Sequence, residues 1–311
     1  MKYKIYKFDF IAGVHFGKKS LEDAEFTISA DTLFSAICQE AVKQSEKQLE
    51  EFVKKTMQGK ILFSDLFPYI QDTYYIPKPV MKIQTEQEIG DSVIKKAYKK
   101  LTYLPFDKLN VYLSGKLNVK EEVNRFQKEL GRKDVRVNAA VRTGAETLPY
   151  RIGVYYFKFN SGLYFIVGYE NEDDIIDIEN YLEALSLIGI GGRRKAGLGR
   201  FVLKKGKISE DFLKRLNSGS GKILMSLSVC LPKEKEMEKA LEQARYILVK
   251  KSGFISSEKY FCEQLKKDDM YLMQAGACFD CRFEGDIYNV GTDGTHPVYR
   301  YAKPIFMEVI S

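Results

Sequence analysis

The chain has 311 residues, of which 45% are hydrophobic with 20 Tyr and 20 Phe; this composition excludes a disordered chain, and the length leaves room for two domains. It contains no run of ~18 to 20 apolar residues that could cross a bilayer, and its start lacks the apolar segment of a signal peptide. Its odd number of cysteines, 5, excludes a disulfide framework. We therefore expect a cytoplasmic protein without a membrane partner. The 49 Lys and Arg against 42 Asp and Glu give a net charge of +7, too small an excess to indicate a partner unless it is concentrated in one place.

The first elements are a strand and a helix. The aromatic run Lys2 to Phe10 predicts a strand, and two glycines in residues 12–17 predict a loop after it. From Asp31 the apolar residues recur with helical spacing, and either Ser29 or Asp31 is placed to cap the first turn. A lysine-rich stretch, residues 91–100, predicts a helix with a solvated face and no function of its own.

Two apolar and aromatic runs follow a polar stretch. Residues 154–159 and 163–169 flank Asn160-Ser161-Gly162, which predicts a β-hairpin. Before them, the basic residues of segment 132–151 are too polar for core strands and predict a protruding loop or hairpin. Those basic residues are Arg132, Lys133, Arg136, Arg142 and Arg151.

The order of elements predicts the fold class. A helix ending near Ile188 and a strand at residues 198–203 complete the order βαββαβ, the ferredoxin-like split βαβ unit shared with RNA-recognition modules. We therefore predict an α+β protein whose N-terminal ferredoxin-like domain covers residues 1–215, with an insertion at about 60–150. Residues 216–221 combine Ser, Asn and Gly as a linker does. Residues 222–311 would form a second ferredoxin-like (RRM-like) domain, on element order alone.

The positive charge is concentrated in one segment. Residues 193–207 hold seven basic side chains and no acid, while the rest of the chain balances 42 against 42. The seven are Arg193, Arg194, Lys195, Arg200, Lys204, Lys205 and Lys207. A local positive field beside glycines is typical of a surface that binds a phosphate backbone, so RNA or DNA is the expected partner.

A glycine-rich loop at 189–199 accompanies this charge. Its five glycines permit positive φ and close approach to a ligand, so that main-chain N–H groups face phosphate oxygens. They are Gly189, Gly191, Gly192, Gly197 and Gly199. Nucleotide-binding loops run strand, glycines, helix, whereas here the order is helix, glycines, strand and no Gly-Lys-Ser/Thr follows. Glycines alone would fit a solvent-exposed turn, but the interleaved Arg193, Arg194, Lys195 and Arg200 favour RNA.

The same residues resemble a known family. Segment 191–201, GGRRKAGLGRF, resembles the glycine-rich motif of the repeat-associated mysterious proteins (RAMPs) of CRISPR systems. Further landmarks agree along nearly the whole chain. They are VHFG at 14–17, SADTLFSA at 29–36, KKSGF at 250–254 and HPVYRYAKP at 296–304. Together they resemble the subunit of the type III-A (Csm) interference complex that holds the 5′ tag of the crRNA.

The resemblance implies a fold, partners and a role. It implies two ferredoxin-like domains with a thumb-like hairpin, binding of the crRNA 5′ tag, and contacts with the large polymerase-like subunit and an adjacent backbone RAMP subunit. It also implies that this subunit is not itself a nuclease. No cofactor and no metal are expected.

Single residues leave alternatives open. His15 lies where related RNA-processing enzymes use an early histidine, whose imidazole could take the proton of a 2′-OH without a metal. The alternatives are that His15 forms a local hydrogen bond or binds RNA. We favour RNA binding. Asp31 fits a helix cap better than a metal ligand. Cys278 and Cys281 have the spacing of a zinc half-site that nothing in the sequence completes.

Two further basic sets complete the RNA-binding hypothesis. Arg136, Arg142 and Arg151 would contact the guide backbone, by similarity to the family's thumb, although a solvated surface also fits them. Lys250, Lys251, Ser252 and Gly253 repeat the combination of basic residues and glycine, so both domains would share one RNA end. The rival hypotheses are a metal-independent endoribonuclease using His15 and a protein-binding assembly factor.

Overall fold

The computed structural model describes residues 1–17, 20–83, 92–140, 148–219, 222–255, 265–291, 294 and 296–310. It is a mixed α/β structure with antiparallel sheets. Within the described ranges, no helix combines the length and the apolar character that a membrane span requires.

Strands occur along the whole chain and helices are concentrated in its first two thirds. The strands are β1 Lys2–Phe10, β2 Phe16–Gly17, β3 Ala24–Glu25, β4 Ile61–Phe63, β5 Phe67–Ile70, β6 Thr73–Pro77, β7 Tyr103–Pro105, β8 Gly131–Ala140, β9 Leu148–Phe157, β10 Ser161–Tyr169, β11 Phe201–Gly206, β12 Ile223–Ser226, β13 Leu248–Lys251, β14 Met270–Met273, β15 Cys278–Phe279, β16 Asp286–Asn289, β17 Tyr299–Ala302 and β18 Phe306–Ile310. The helices are α1 Ala30–Gln44, α2 Glu46–Met57, α3 Ser92–Lys100, α4 Leu109–Leu113, α5 Val119–Leu130, α6 Glu172–Ile188, α7 Glu210–Asn217 and α8 Glu234–Leu241, with 3₁₀ turns at Phe106–Lys108 and Arg194–Ala196.

The largest sheet is built around β1 and β10. Its strands lie in the order β11-β1-β10-β5-β6-β7, and β4 also pairs with β10. Strand β1 is antiparallel to both neighbours, and Phe8 lies opposite Leu163 on one side and Leu203 on the other. Apart from inserted elements, β1, α1, β4, β10, α6 and β11 follow the βαββαβ order that the sequence predicts. Residues 61–70, at the start of the predicted insertion, belong to this sheet.

The predicted hairpin between residues 154–159 and 163–169 is wrong in its pairing. Both runs are strands, joined by a turn in which Asn160 has φ 58°, but β9 pairs with β8 and β10 pairs with β1, β4 and β5. Every residue of β10 is buried, so this strand requires neighbours on both edges, as a central strand does. The polar segment 132–151 forms the predicted hairpin instead, with β8 and β9 paired from Gly131–Phe157 to Ala140–Leu148.

Helix α1 confirms the helical spacing but not the predicted role of Asp31. Leu33, Phe34 and Ile37 are fully buried against the sheet, each contributing on the order of 2 kcal/mol of apolar burial. Asp31 does not cap the helix; its carboxylate contacts Lys251 and Arg300. The N–H of Ala30 donates instead to Oδ1 of Asp65, at 2.8 Å, because that buried carboxylate lies beside the first turn.

The regions on either side of residue 220 share their hydrophobic packing. The side chain of Tyr301, in β17, lies in the same core cluster as Phe34 and Phe63. Its hydroxyl accepts the N–H of Phe63 at 2.9 Å and donates to the carbonyl of the same residue at 3.3 Å. In the predicted linker, Leu216 is buried and ends helix α7 with Asn217. The sequence boundary is therefore not a boundary between separate cores.

The C-terminal region is a set of small antiparallel sheets. Strand β12 lies between β15 and β18, while β13 pairs with β14 and β16 with β17. Within 222–255, 265–291, 294 and 296–310 the structure contains one helix, α8, where a complete split βαβ unit would have two. A second ferredoxin-like domain therefore remains a prediction.

Candidate nucleic-acid interface

The glycine-rich loop packs on the loop that follows β1. The N–H of Gly192 donates to the carbonyl of His15 at 2.9 Å, and the N–H of Gly199 donates to the carbonyl of Gly13 at 2.9 Å. Ile190 closes the loop on itself by donating to the carbonyl of Gly199 at 3.0 Å. Two segments about 180 residues apart in the sequence thus form one surface.

The glycines serve close approach, but mostly to the chain itself. A Cβ on Gly199, whose φ is +81°, would lie 2.1 Å from the carbonyl oxygen of Ile190, and one on Gly192 would lie 2.8 Å from the His15 ring. At Gly191 and Gly189, also at positive φ, it would meet Phe16 and Leu198. Only Gly197, with φ +79°, faces open space within the loop. The glycines therefore shape a surface, and the part that is open lies beside the basic residues.

The basic side chains of the loop point to solvent without acidic partners. Arg193, Lys195 and Arg200 are exposed, and within the described ranges none of them forms an ion pair. Arg193 has a left-handed backbone, φ 58°, and its guanidinium lies 5.3 Å from the ring centre of Tyr150. Arg194 is half-buried and donates to Oε1 of Gln39, on α1, at 3.4 Å.

The remainder of the basic segment differs from the loop. Lys204 pairs with Asp9 at 2.5 Å and Lys205 pairs with Glu179 at 2.8 Å. These lysines lie on β11, where neighbouring elements supply carboxylates. Among the described residues, the uncompensated positive charge of this segment therefore lies on the glycine-rich loop and on the exposed Lys207 just after β11, with the paired lysines between them.

His15 is buried between this loop and the hairpin. It is 7% exposed, and its Nδ1 lies 2.7 Å from the carbonyl oxygen of Gly153 on β9. Because a carbonyl only accepts, Nδ1 carries the proton and the other ring nitrogen, Nε2, is the acceptor in the neutral ring. Nε2 faces Gly17, where a Cβ would lie 3.4 Å away. The imidazole therefore joins this loop to the hairpin, while the backbone carbonyl of His15 joins it to the glycine-rich loop.

The hairpin carries the predicted arginines on exposed strands. Arg136 donates from Nε to the hydroxyl of Tyr156 at 2.5 Å and lies 5.3 Å from its ring centre. Arg151 is exposed and lies opposite Val137 in the register. Since Tyr150 contacts Arg193 and pairs with Asn138, the part of the hairpin far from its base at Gly131 and Phe157 adjoins the glycine-rich loop. Arg142 lies outside the described residues.

The second basic segment is largely paired within the chain. Lys250 forms an ion pair with Asp269 at 2.8 Å, and the ammonium of Lys251 lies 3.1 Å from Oδ1 of Asp31. Lys251, which the sequence predicts to contact RNA, is thus already bound to a buried carboxylate, and its contact with RNA stays a prediction. Ser252 is exposed, and Gly253, with φ +141°, has open space where a Cβ would be.

Helix α1 connects the two basic segments. Arg194 contacts Gln39, while Lys251 contacts Asp31 at the start of the same helix. The two positions are about 12 Å apart along the helix axis, at 1.5 Å per residue.

Some residues of this surface were missed by the sequence argument. Tyr150 and Tyr156 both lie on β9, and their rings lie beside Arg193 and Arg136, respectively. Gln39, on α1, accepts a hydrogen bond from Arg194 of the loop. Tyr150 directly precedes an arginine in a polar strand, and this neighbourhood was the available signal. In the described ranges no three His, Cys, Asp or Glu side chains are grouped as a metal site requires, and the thiols of Cys278 and Cys281 donate to the carbonyls of Gly276 and Lys239.

Comparison with known proteins identifies the family. The family described as CRISPR Csm4 C-terminal domain matches residues 219–309. A protein of Mycobacterium tuberculosis, "CRISPR system Cms protein Csm4", is 35% identical over 308 residues, covering 99% of this chain and 98% of the relative. The chain belongs to the Csm4 family. A Csm4 protein of Streptococcus thermophilus is 31% identical over 322 residues, covering 99% of both chains.

Solved structures agree with the fold of a Csm4-family subunit. A chain of the "Csm3-Csm4 subcomplex in the type III-A CRISPR-Cas interference complex" aligns with a TM-score of 0.67 at 20% identity, covering 99% of both chains. A chain of the "Csm1-Csm4 cassette in complex with cA4" aligns with a TM-score of 0.62 at 18% identity, covering 100% of this chain and 98% of that one. At these identities the likeness establishes the fold.

Proposed function

We propose that this Csm4-family chain anchors the 5′ tag of the crRNA in a type III-A effector complex and does not itself cut RNA. The glycine-rich loop, with Arg193, Arg194, Lys195 and Arg200, contacts backbone phosphates. The observation that carries this proposal is the set of exposed cations without acidic partners on a loop whose shape depends on glycine. Phosphate contacts of this kind fix position, while unstacked bases supply specificity.

The hairpin extends the proposed surface. Arg136 and Arg151 are exposed on β8 and β9, and Tyr150 and Tyr156 lie beside arginines of the same surface. Aromatic rings next to guanidinium groups suit single-stranded RNA, whose bases stack on either. We assign this hairpin the role of a thumb that contacts the guide, with Arg142 part of the same set. Lys250, Lys251, Ser252 and Gly253 would provide a second contact near the start of α1, where Lys251 binds Asp31 and Gly253 has open space where a Cβ would be.

The position of His15 supports a structural role in the RNA-binding surface over catalysis. A general base for a 2′-OH must lie within hydrogen-bond reach of the hydroxyl it deprotonates. His15 is 7% exposed, and Nδ1 is committed to the carbonyl of Gly153. We therefore assign His15 the role of holding the loop, the hairpin and the N-terminal segment in the geometry that RNA requires.

Protein partners follow from the family. Csm4 chains occur with Csm3 and with Csm1 in the solved assemblies that this fold matches. We propose that this chain likewise contacts a backbone RAMP subunit and the large polymerase-like subunit. In that arrangement it would terminate the protein filament at the 5′ end of the guide.

The test compares the RNA affinity of a variant that lacks unpaired cations with that of a variant that lacks paired cations. Alanine at Arg193, Lys195 and Arg200 should weaken binding of guide RNA and lower the slope of log affinity against log salt by about 2, at about 0.7 per lost contact with a single strand. The matched control replaces Lys204 and Lys205, which lie in the same basic segment but pair with Asp9 and Glu179. Equal losses in both variants would show a general charge effect and reject the phosphate contacts.

A further inference from the structure

A buried arginine near the start of α1 has donors without acceptors among the described residues. Arg300, in β17, is 5% exposed. Its Nη1 contacts Oδ2 of Asp31 at 3.2 Å, but Nε and Nη2 have no hydrogen-bond partner among the described residues. Leaving buried donors of a charged group unpaired costs more than leaving neutral ones, about 1 to 3 kcal/mol or more. Within the described ranges, these two donors are therefore directed at no acceptor of the chain.

The surroundings of Arg300 are rich in positive charge. Lys251 contacts Asp31 at 3.1 Å, and the half-buried Lys267 lies close enough to Arg300, Asp31 and Cys38 to interact with all three electrostatically. Lys267 has no carboxylate partner within the described ranges. Burial, followed by repulsion from Arg300, lowers the pKa of Lys267. Three cations thus face one ion-paired carboxylate.

Other nearby groups do not supply the missing negative charge. Burial raises the pKa of Asp65 to about 7, and Oδ1 of this carboxylate accepts the N–H groups of Ala30 and Val229. Burial likewise raises the pKa of the Cys38 thiol far above neutrality. The cluster has the excess charge and the directed donors of an anion site, with the start of the 15-residue helix α1 beside it.

We propose that Arg300 and Lys267 form a binding site for a phosphate group, in which Nε and Nη2 of Arg300 donate to two phosphate oxygens and Lys267 contacts a third. Planar guanidinium donors match such oxygens in pairs. An RNA backbone phosphate fits the position best, because Lys251, at the end of β13, contacts Asp31 in this cluster, and Gly253, two residues later, has open space where a Cβ would be. This assignment rests on the proposed function, and it adds a site separate from the glycine-rich loop.

The site is tested by two variants that change its donors while Asp31 keeps a cation beside it. Lys267→Gln removes an ammonium that has no carboxylate partner within the described ranges, and Arg300→Lys keeps the charge next to Asp31 but loses the unpaired donors. Lys266→Gln is the matched control, since Lys266 is the neighbouring residue, exposed, and paired only with Asp269. The probes are inorganic phosphate, exchanged for chloride at constant ionic strength, and guide RNA.

The expected result is a rise of about 2 to 4 °C in the unfolding midpoint of the parent protein and of Lys266→Gln with phosphate, absent in Lys267→Gln and Arg300→Lys. RNA affinity should fall about tenfold in the latter two. Identical behaviour of Lys266→Gln and Lys267→Gln with both probes would overturn the site. A lost phosphate effect with unchanged RNA affinity would support the site but reject RNA as the source of the phosphate.

The same experiment separates this proposal from the proposed function. If neither the parent protein nor any variant binds guide RNA, the proposed function is wrong. A phosphate effect that depends on Lys267 would then still establish the anion site. If RNA binds and depends on Arg193 but not on Lys267 or Arg300, the proposed function stands and RNA occupancy of this site is rejected.

Discussion

The imidazole of His15 donates from Nδ1 to the carbonyl of Gly153 across 2.7 Å, with the ring almost fully buried. This bond joins the loop after β1 to the hairpin strand β9, and the carbonyl of His15 accepts the N–H of Gly192 from the glycine-rich loop. One residue thereby fixes three segments that the sequence separates widely. A histidine in a loop that sequence reasoning treats as a candidate ligand or base is here a connector.

Replacing His15 with Ala should destabilise the protein without affecting any cleavage of RNA. The carbonyl of Gly153 would lose its buried donor, which costs about 1 to 3 kcal/mol, and the free energy of unfolding in urea measures this loss. His15→Asn, whose amide N–H can take the place of Nδ1, should recover most of it. Metal-free cleavage of repeat RNA that is present in the parent protein and absent in both variants would instead identify His15 as a general acid or base.

Two glycines with the same backbone conformation should respond differently to alanine. Gly197 and Gly199 have φ of +79° and +81°, so each substitution incurs the cost of a left-handed alanine, about 1 kcal/mol. At Gly199 the added Cβ would also lie 2.1 Å from the carbonyl oxygen of Ile190, whereas at Gly197 it meets nothing within 4 Å. Gly199→Ala should therefore lose more than about 3 kcal/mol and most RNA binding. Comparable losses in urea unfolding at both positions would contradict the packing of this loop.

Local patterns were sufficient for some elements but not for strand pairing. Helices α1 and α6 and strand β1 follow from apolar spacing that a short window contains. The pairing partners of β9 and β10 do not follow from such a window, since a turn at Asn160 is compatible both with a hairpin and with a connection between two sheets. The choice is made by burial on both edges of β10, which depends on strands far away in the sequence.

The sequence likewise does not show which basic residues of the candidate site are paired with acids. Lys204, Lys251 and Arg193 are indistinguishable as basic residues in a glycine context. Their roles separate because Asp9 lies 195 positions from Lys204 and Asp31 lies 220 positions from Lys251, yet each is in contact. The family motif at 296–304 contains Arg300, but only the structure shows that two of its donors have no acceptor among the described residues.

The buried carboxylate of Asp65 should make stability fall as pH rises. Burial raises its pKa to about 7, above the value of about 3.9 in the unfolded chain. Its contribution to stability is therefore fully present below pH 4 and is lost as pH rises through 7, by up to about 4 kcal/mol. Asp65→Asn keeps an oxygen for the N–H groups of Ala30 and Val229 and should remove this pH dependence. The measurement is the difference in unfolding free energy between parent and variant at pH 5 and pH 8.

Asp31, in the same cluster, should show the opposite dependence of stability on pH and serves as the control for Asp65. Burial raises its pKa, but Lys251, the hydroxyl of Ser29 and Arg300 outweigh burial and hold the pKa below its usual value. Its contribution is present above the unfolded pKa and is lost as pH falls. Asp31→Asn should thus destabilise the protein at pH 8, where Asp65→Asn is neutral or stabilising. If Asp65→Asn destabilises more at pH 8 than at pH 5, the assignment of a raised pKa is wrong.

The last prediction concerns assembly with the large polymerase-like subunit. A subunit that holds the end of a guide by backbone contacts still has to fix that end relative to the rest of the complex, because base pairing supplies sequence and not position. If the loop cations contact RNA, as proposed above, the protein contact should be a separate surface of at least ~1,000 Å² with an apolar centre. Such a contact does not depend on counterion release and should survive high salt.

We therefore expect the two subunits to purify together after nuclease treatment and a wash at high salt. The variant with alanine at Arg193, Lys195 and Arg200 should retain this complex while losing guide RNA, since its changes are confined to the exposed loop. If the pair separates as soon as RNA is digested, the guide bridges the two proteins and direct docking is rejected. If instead the loop variant loses the partner in the absence of RNA, the unpaired cations belong to the protein interface, and the proposed phosphate contacts have to be reassigned to it.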